Sequence, residues 1–90
     1  MSVDYGRGEY MTLLASRDAA IRRLVDGGYE FVTNAFRPGA GPKGVRTKDA
    51  EALQAGLRRE GYQVEVASAY NETGDLLTSM VSIWRRRGVG

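Results

Sequence analysis

The sequence contains neither cysteine nor histidine. Disulfides, thiolate nucleophiles and zinc sites of the Cys/His kind are therefore excluded. Serine–histidine and cysteine–histidine catalysis are excluded with them. No apolar run approaches membrane-spanning length, and Met1-Ser2-Val3-Asp4-Tyr5-Gly6 lacks the basic-then-apolar order of a signal peptide. The expectation is a cytoplasmic protein with no membrane partner. Asn71-Glu72-Thr73 has the form of a glycosylation acceptor, but without a secretion signal it reads as a turn.

Only Asp, Glu, Lys, Tyr, Ser and Thr remain for chemistry. No two acids form a pair by spacing, and Asp18 and Asp49 are explained by helix starts. The chain is accordingly expected to be no enzyme and to use no cofactor and no metal.

What is present is a globular composition, 42% hydrophobic and 27% charged over 90 residues. That length makes one domain, 1–90, with 1–8 flexible and 88–90 a frayed tail. Folding a chain of this mass removes roughly 64% of its surface from water, enough for one modest core.

A repeat organises the chain. Ser16-Arg17-Asp18-Ala19 opens a stretch with Ala20, Ile21, Leu24 and Val25 at helical spacing, closing in Gly27-Gly28-Tyr29. Thr47-Lys48-Asp49-Ala50 opens a second, with Leu53 and Leu57, closing in Gly61-Tyr62. Ser16 and Thr47 are the expected caps, and the glycines supply left-handed exits. Helices are expected at 17–26 and 48–60, with Gly56 marking close packing of the second against the sheet. After each glycine-tyrosine the residues alternate as a strand does. A final hairpin pairs Tyr62–Tyr70 with Leu76–Arg86 through the turn Asn71-Glu72-Thr73-Gly74. If Ser16 is a cap, Tyr10–Ala15 is a strand feeding the first helix; the alternative is a backward extension of that helix. Gly44-Val45-Arg46 would be the matching short strand. The fold class is then α+β: a two-layer sandwich with two helices on one face of an antiparallel sheet, ferredoxin-like βαββαβ plus a C-terminal strand.

Gly39-Ala40-Gly41-Pro42-Lys43-Gly44 matches G-x-G-x-x-G, but Pro42 removes a donor and three residues intervene before the helix. It reads as a glycine-rich connection rather than a dinucleotide cradle. Charge says more. Residues 31–48 carry Arg37, Lys43, Arg46 and Lys48 and no acid; residues 76–90 carry Arg85, Arg86 and Arg87 and no acid. All 11 acids lie elsewhere, so two positive segments sit on an acidic body. Arg22-Arg23 and Arg58-Arg59 have carboxylates nearby and read as ordinary solvated helix faces.

Alternation suggests a second surface. With Tyr29, Phe31, Val64, Val66, Leu77, Val81 and Ile83 toward the helices, Val32, Phe36, Ala67, Met80 and Trp84 share the outer face with Glu30 and Glu65. Phe36, Met80 and Trp84 are thus candidates for binding a partner or a second copy of the chain. The expected function is a small non-catalytic binding protein acting on a protein or nucleoprotein partner. Phage-type inhibitors, anti-CRISPR proteins among them, offer an analogy of size and economy. Direct DNA or RNA binding through the basic loop 37–48 and Arg85–Arg87 is the alternative, and a small enzyme or enzyme subunit the third reading.

Overall fold

The computed structural model describes residues 7–37, 39–40 and 50–88. Along them run α1 (Arg7–Arg17), α2 (Ala19–Asp26), β1 (Glu30–Phe36), α3 (Ala50–Arg59), β2 (Tyr62–Tyr70) and β3 (Leu76–Arg87). The class is α+β, with helices packed on a three-stranded antiparallel sheet of order β1-β3-β2. β3 pairs antiparallel with both neighbours, so β1 and β2 run parallel with α3 as their crossover.

The first repeat unit departs from expectation. Tyr10–Ala15 is helix, not strand. Tyr10, Met11 and Leu14, at helical spacing, pack in one apolar cluster with Ile21 of α2 and Trp84 of β3. Ser16 is not a cap: its hydroxyl donates back to the Leu13 carbonyl at 2.7 Å. Asp18 has that role. Its extended backbone (φ −136°, ψ 114°) breaks the chain between the helices, its N–H closes α1 on the Leu14 carbonyl, and its Oδ1 accepts from the N–H groups of Ala20 and Ile21. The segment expected to be flexible, 1–8, contributes Arg7 and Gly8 to α1. The Thr47 cap, the strand at 44–46, most of the 39–44 glycine motif, and residues 1–6, 89 and 90 lie outside the described residues.

The hairpin forms as the sequence indicates. β2 and β3 pair from Tyr62↔Arg87 to Tyr70↔Leu76. Asn71 Oδ1 accepts from the N–H groups of Thr73 and Asp75, and Gly74 turns the chain at φ +86°. A side chain at Gly74 would also meet Arg17, whose Nε lies 2.6 Å from where a Cβ would stand. Gly56, in contrast, has only the Arg59 guanidinium 4.0 Å from that position. It does not mark close packing against the sheet.

The two-layer, one-face expectation is corrected by β3. Ile83 and Trp84 are adjacent in a strand, so they point to opposite faces, and both are fully buried. Ile83 joins Ala35, Val64 and the α3 residues Ala50 and Leu57. Trp84 joins Leu14 and Ile21 of the other two helices. Helices therefore flank the sheet on both sides. The ladder between β1 and β3 shifts between Phe31 and Thr33. This bulge sends Phe31 to the Trp84 side, where their rings meet edge-on at 5.5 Å, and Val32 to the Ile83 side. Both assignments reverse the alternation read from sequence.

Two outcomes test this arrangement. Asp18→Ala should cost about 1–2 kcal/mol of stability, whereas Ser16→Ala should stay within about 0.5 kcal/mol of wild type, both read by urea denaturation. Trp84→Ala should cost about 3–5 kcal/mol and broaden or abolish cooperative unfolding; a stable, cooperatively folding variant would return Trp84 to the surface.

Candidate functional site

Antiparallel pairing delivers the last residues of β3 to the end of the sheet where β1 and β2 begin. Glu30 pairs with Arg85 and Tyr62 with Arg87. Alternation then deals the three arginines to two sides. Arg85 and Arg87 stand over the Tyr62 ring, at 4.6 and 5.4 Å from its centre. Arg86 stands over Tyr29 at 4.5 Å. The two tyrosines occupy equivalent places, each just past a helix and its glycine turn. Gly28, at φ +86°, makes the first of those turns, and the Arg86 Cδ lies 3.6 Å from where its Cβ would be.

Polar partners hold two of the arginines in place. Arg85 Nε donates to Glu30 Oε1 at 2.8 Å, and this carboxylate keeps the guanidinium more firmly protonated than usual. Arg86 donates through Nε and Nη2 to Gln63 Oε1 (2.8 and 2.6 Å) and through Nη1 to the Gly27 carbonyl (2.7 Å). Arg87 is exposed. α2 leads into β1 and α3 into β2, so their last turns reach this same end of the sheet from its opposite faces. They bring exposed Arg23 on one face and exposed Arg58 and Arg59 on the other. Six arginines thus share one end with Asp26, Glu30 and Glu60. Cations at helix C-termini are themselves favourable, since the last carbonyls carry partial negative charge.

The other sequence candidates are not brought together. Arg37 is exposed beyond the far end of β1, with its N–H on the Ser79 carbonyl. Lys43, Arg46 and Lys48 lie outside the described residues. Phe36 and Met80 are half-buried cross-strand partners near Arg37, away from the arginine end. Trp84 is not on an outer face at all. It is buried beneath α1 and α2, with its Nε1–H donating to Ser82 Oγ at 2.8 Å. The exposed aromatic face expected from alternation is therefore absent. Sequence reasoning missed Arg23, Arg58, Arg59, Tyr29 and Tyr62 as neighbours. The repeated Gly-Tyr at both helix exits was the available signal, because it sets both rings level with the end of β3.

Opposite this end, Tyr10, Asn34, Tyr70, Asn71, Glu72 and Thr73 line an open cleft of about 410 Å³. The Tyr70 carbonyl accepts from the Tyr10 hydroxyl and from Asn34 Nδ2. Asn34 Oδ1 is buried without a partner. The Tyr70 hydroxyl donates to Asp18 Oδ2 at 2.8 Å. That bond, then burial and the negative charge of Asp18, raises the Tyr70 pKa above the ordinary phenol value. In the turn, the Thr73 hydroxyl and the Asn71 amide hold Asp75 below the usual carboxylate range, with Arg17 adding a smaller pull. Among the described residues no three Asp or Glu side chains gather where they could hold a metal ion. No helix among them is long and apolar enough to cross a membrane. In comparisons with known proteins, no family model, no curated protein and no solved structure matches this chain.

The Tyr70–Asp18 bond carries a pH signature. A phenol whose folded pKa is raised adds stability that is complete below about pH 10, the unfolded value, and is lost as pH rises through the folded pKa. Tyr70→Phe should therefore cost about 0.5–1.5 kcal/mol near neutrality. The gap to wild type should shrink at alkaline pH, as read by denaturation across a pH series; a constant gap would show that the bond is absent.

Proposed function

We propose that this chain is a small, non-catalytic binding protein that acts on a protein or nucleoprotein partner through the arginine–tyrosine end of its sheet. The observation that carries the reading is the set of guanidinium–ring stacks, Arg85 and Arg87 on Tyr62 and Arg86 on Tyr29. Tyrosine and arginine dominate the residues that bind most strongly in protein interfaces, because each offers a large contact area with a polar tip. Stacking and hydrogen bonds already hold Arg85 and Arg86, so less side-chain freedom is lost on docking. Arg23, Arg58, Arg59 and Arg87 leave donors for carboxylates of an acidic surface. Interleaved Asp26, Glu30 and Glu60 suit a mixed protein surface better than an unbroken phosphate backbone. An inhibitor that works by occupying a partner, as small phage-encoded anti-CRISPR proteins do, needs no more than such a surface.

Direct nucleic-acid binding is the second reading, favoured by the exposure of Arg58, Arg59 and Arg87. Affinity capture from the native host, with and without nuclease, separates the two. The expected result is a protein retained after nuclease treatment by wild type and lost by Arg58→Glu/Arg59→Glu/Arg87→Glu. Shift assays with free DNA and RNA should show no affinity tighter than about micromolar near physiological salt. Capture abolished by nuclease, or tight binding to free nucleic acid that weakens steeply with salt, would establish the second reading instead.

A further inference from the structure

Among the described residues β3 lies in the middle of the sheet, so β1 and β2 are its two edges. The two edges are not alike. The β1 ladder is interrupted by its bulge at Phe31/Thr33, whereas β2 keeps unbroken register with β3 from Tyr62 to Ser68. Edge strands of soluble proteins are ordinarily blunted by proline, lysine or bulges, which stop their unpaired N–H and C=O groups from recruiting another strand. From Tyr62 to Ser68 there is no proline, lysine or arginine, and Glu65 is the only charge. Val66 is 44% exposed, one of two large apolar side chains so exposed among the described residues.

We propose that β2 pairs antiparallel with β2 of a second copy of this chain, about a two-fold axis perpendicular to the sheet at Val64. The result is one continuous sheet, three strands from each copy. The proposal is argued from the strand itself and not from the functional reading above, although Tyr62, Gln63 and the Arg58–Arg59 turn enter both. It replaces self-association through a sheet face, since helices cover both faces. What selects a second copy is the self-complementarity of this strand. Side chains directly opposite across an antiparallel ladder lie on the same face, so a symmetric pair must centre on a residue. Centring on Glu65 would set two carboxylates face to face, which is destabilising. Centring on Val66 would bring Ala69, beyond the irregularity after Ser68, opposite Gln63.

Centring on Val64 pairs residues 62–66 of one copy with 66–62 of the other, all inside the regular stretch. Val66 of each copy then faces Tyr62 of the other, removing the exposed valine from water against an aromatic ring. Glu65 of each faces Gln63 of the other. Gln63 already holds the Arg86 guanidinium through two hydrogen bonds, so each carboxylate arrives beside an arginine. The charges are complementary, and symmetry supplies the contact twice. Leu57 of α3 packs in the same cluster as Val64, so α3 lies on the Val64 face of the sheet, to one side of the axis. The two α3 helices then run antiparallel on one face, and the acidic first turn of each, with Glu51, lies toward the Arg58–Arg59 turn of the other.

Sedimentation equilibrium of the whole chain from low micromolar to millimolar concentration tests the proposal. The expected mass tends to twice the 9.9 kDa of one chain. Gln63→Glu sets a second carboxylate opposite Glu65 in two symmetric places while still offering Arg86 an acceptor. It should leave the monomer's circular dichroism and unfolding midpoint near wild type and weaken the dimer about tenfold or more. Adding Glu65→Lys should restore the dimer, because each lysine then faces a glutamate. Val66→Lys, a charge on the exposed edge, should also favour the monomer. A chain that stays monomeric throughout the range overturns the proposal, as does a dimer that Gln63→Glu leaves unchanged or that Glu65→Lys does not rescue.

Discussion

Ile83 and Trp84 sit next to each other in β3, and each is fully shielded from water. A strand cannot point two adjacent side chains the same way, so burying both requires cover on each face of the sheet. Most of the architecture follows from meeting that requirement in a short chain. The α3 crossover between the parallel strands β1 and β2 covers Ile83. Trp84 is large, and its indole N–H needs a partner when buried; Ser82 Oγ accepts from it, and the Ser82 hydroxyl donates in turn to the Ser68 carbonyl at 2.7 Å. Covering that ring takes two short helices bent at Asp18, with Tyr10, Phe31 and Trp84 forming a run of edge-to-face contacts at 5.3 and 5.5 Å.

With both faces covered, what the sheet can offer a partner is its ends and its edges. The arginine end arises from topology rather than from local sequence. Three consecutive arginines finish the central strand, both outer strands begin beside them, and two helices terminate there. Individually these contacts add little to stability: an exposed guanidinium–ring stack is worth about 0.5–1 kcal/mol, and the Arg85–Glu30 pair about 1 kcal/mol or less. Their collective effect is positional, since they hold Arg85 and Arg86 in fixed directions at this end of the sheet.

Much of the fold was legible where a local rule acts alone. The hairpin turn declares itself through Asn71 and a glycine forced to positive φ, and the alternation of 62–68 survives into the structure. The reading failed where a distant partner decides. Ser16 resembled Thr47 as a cap, but its hydroxyl is bound within α1, and Asp18 outcompetes it by reaching two N–H groups and Tyr70 at once. Strict period-2 alternation assigned Phe31 and Val32 to the wrong sides because a bulge leaves no mark in a single sequence. The error spread to Trp84, which was read as exposed once the helices were assumed to share one face. The arginine end was half legible: Arg85–Arg87 stood out as a run, but Arg58 and Arg59 join them only through the crossover.

Trp84 is the only tryptophan in the chain, so its fluorescence reports directly on the two-faced sheet. A Trp84 shielded by α1 and α2 should emit at a blue-shifted wavelength in the native protein and resist acrylamide quenching strongly, both lost in the cooperative unfolding transition. Native emission at the wavelength of a water-exposed indole, quenched as readily as free tryptophan, would contradict it.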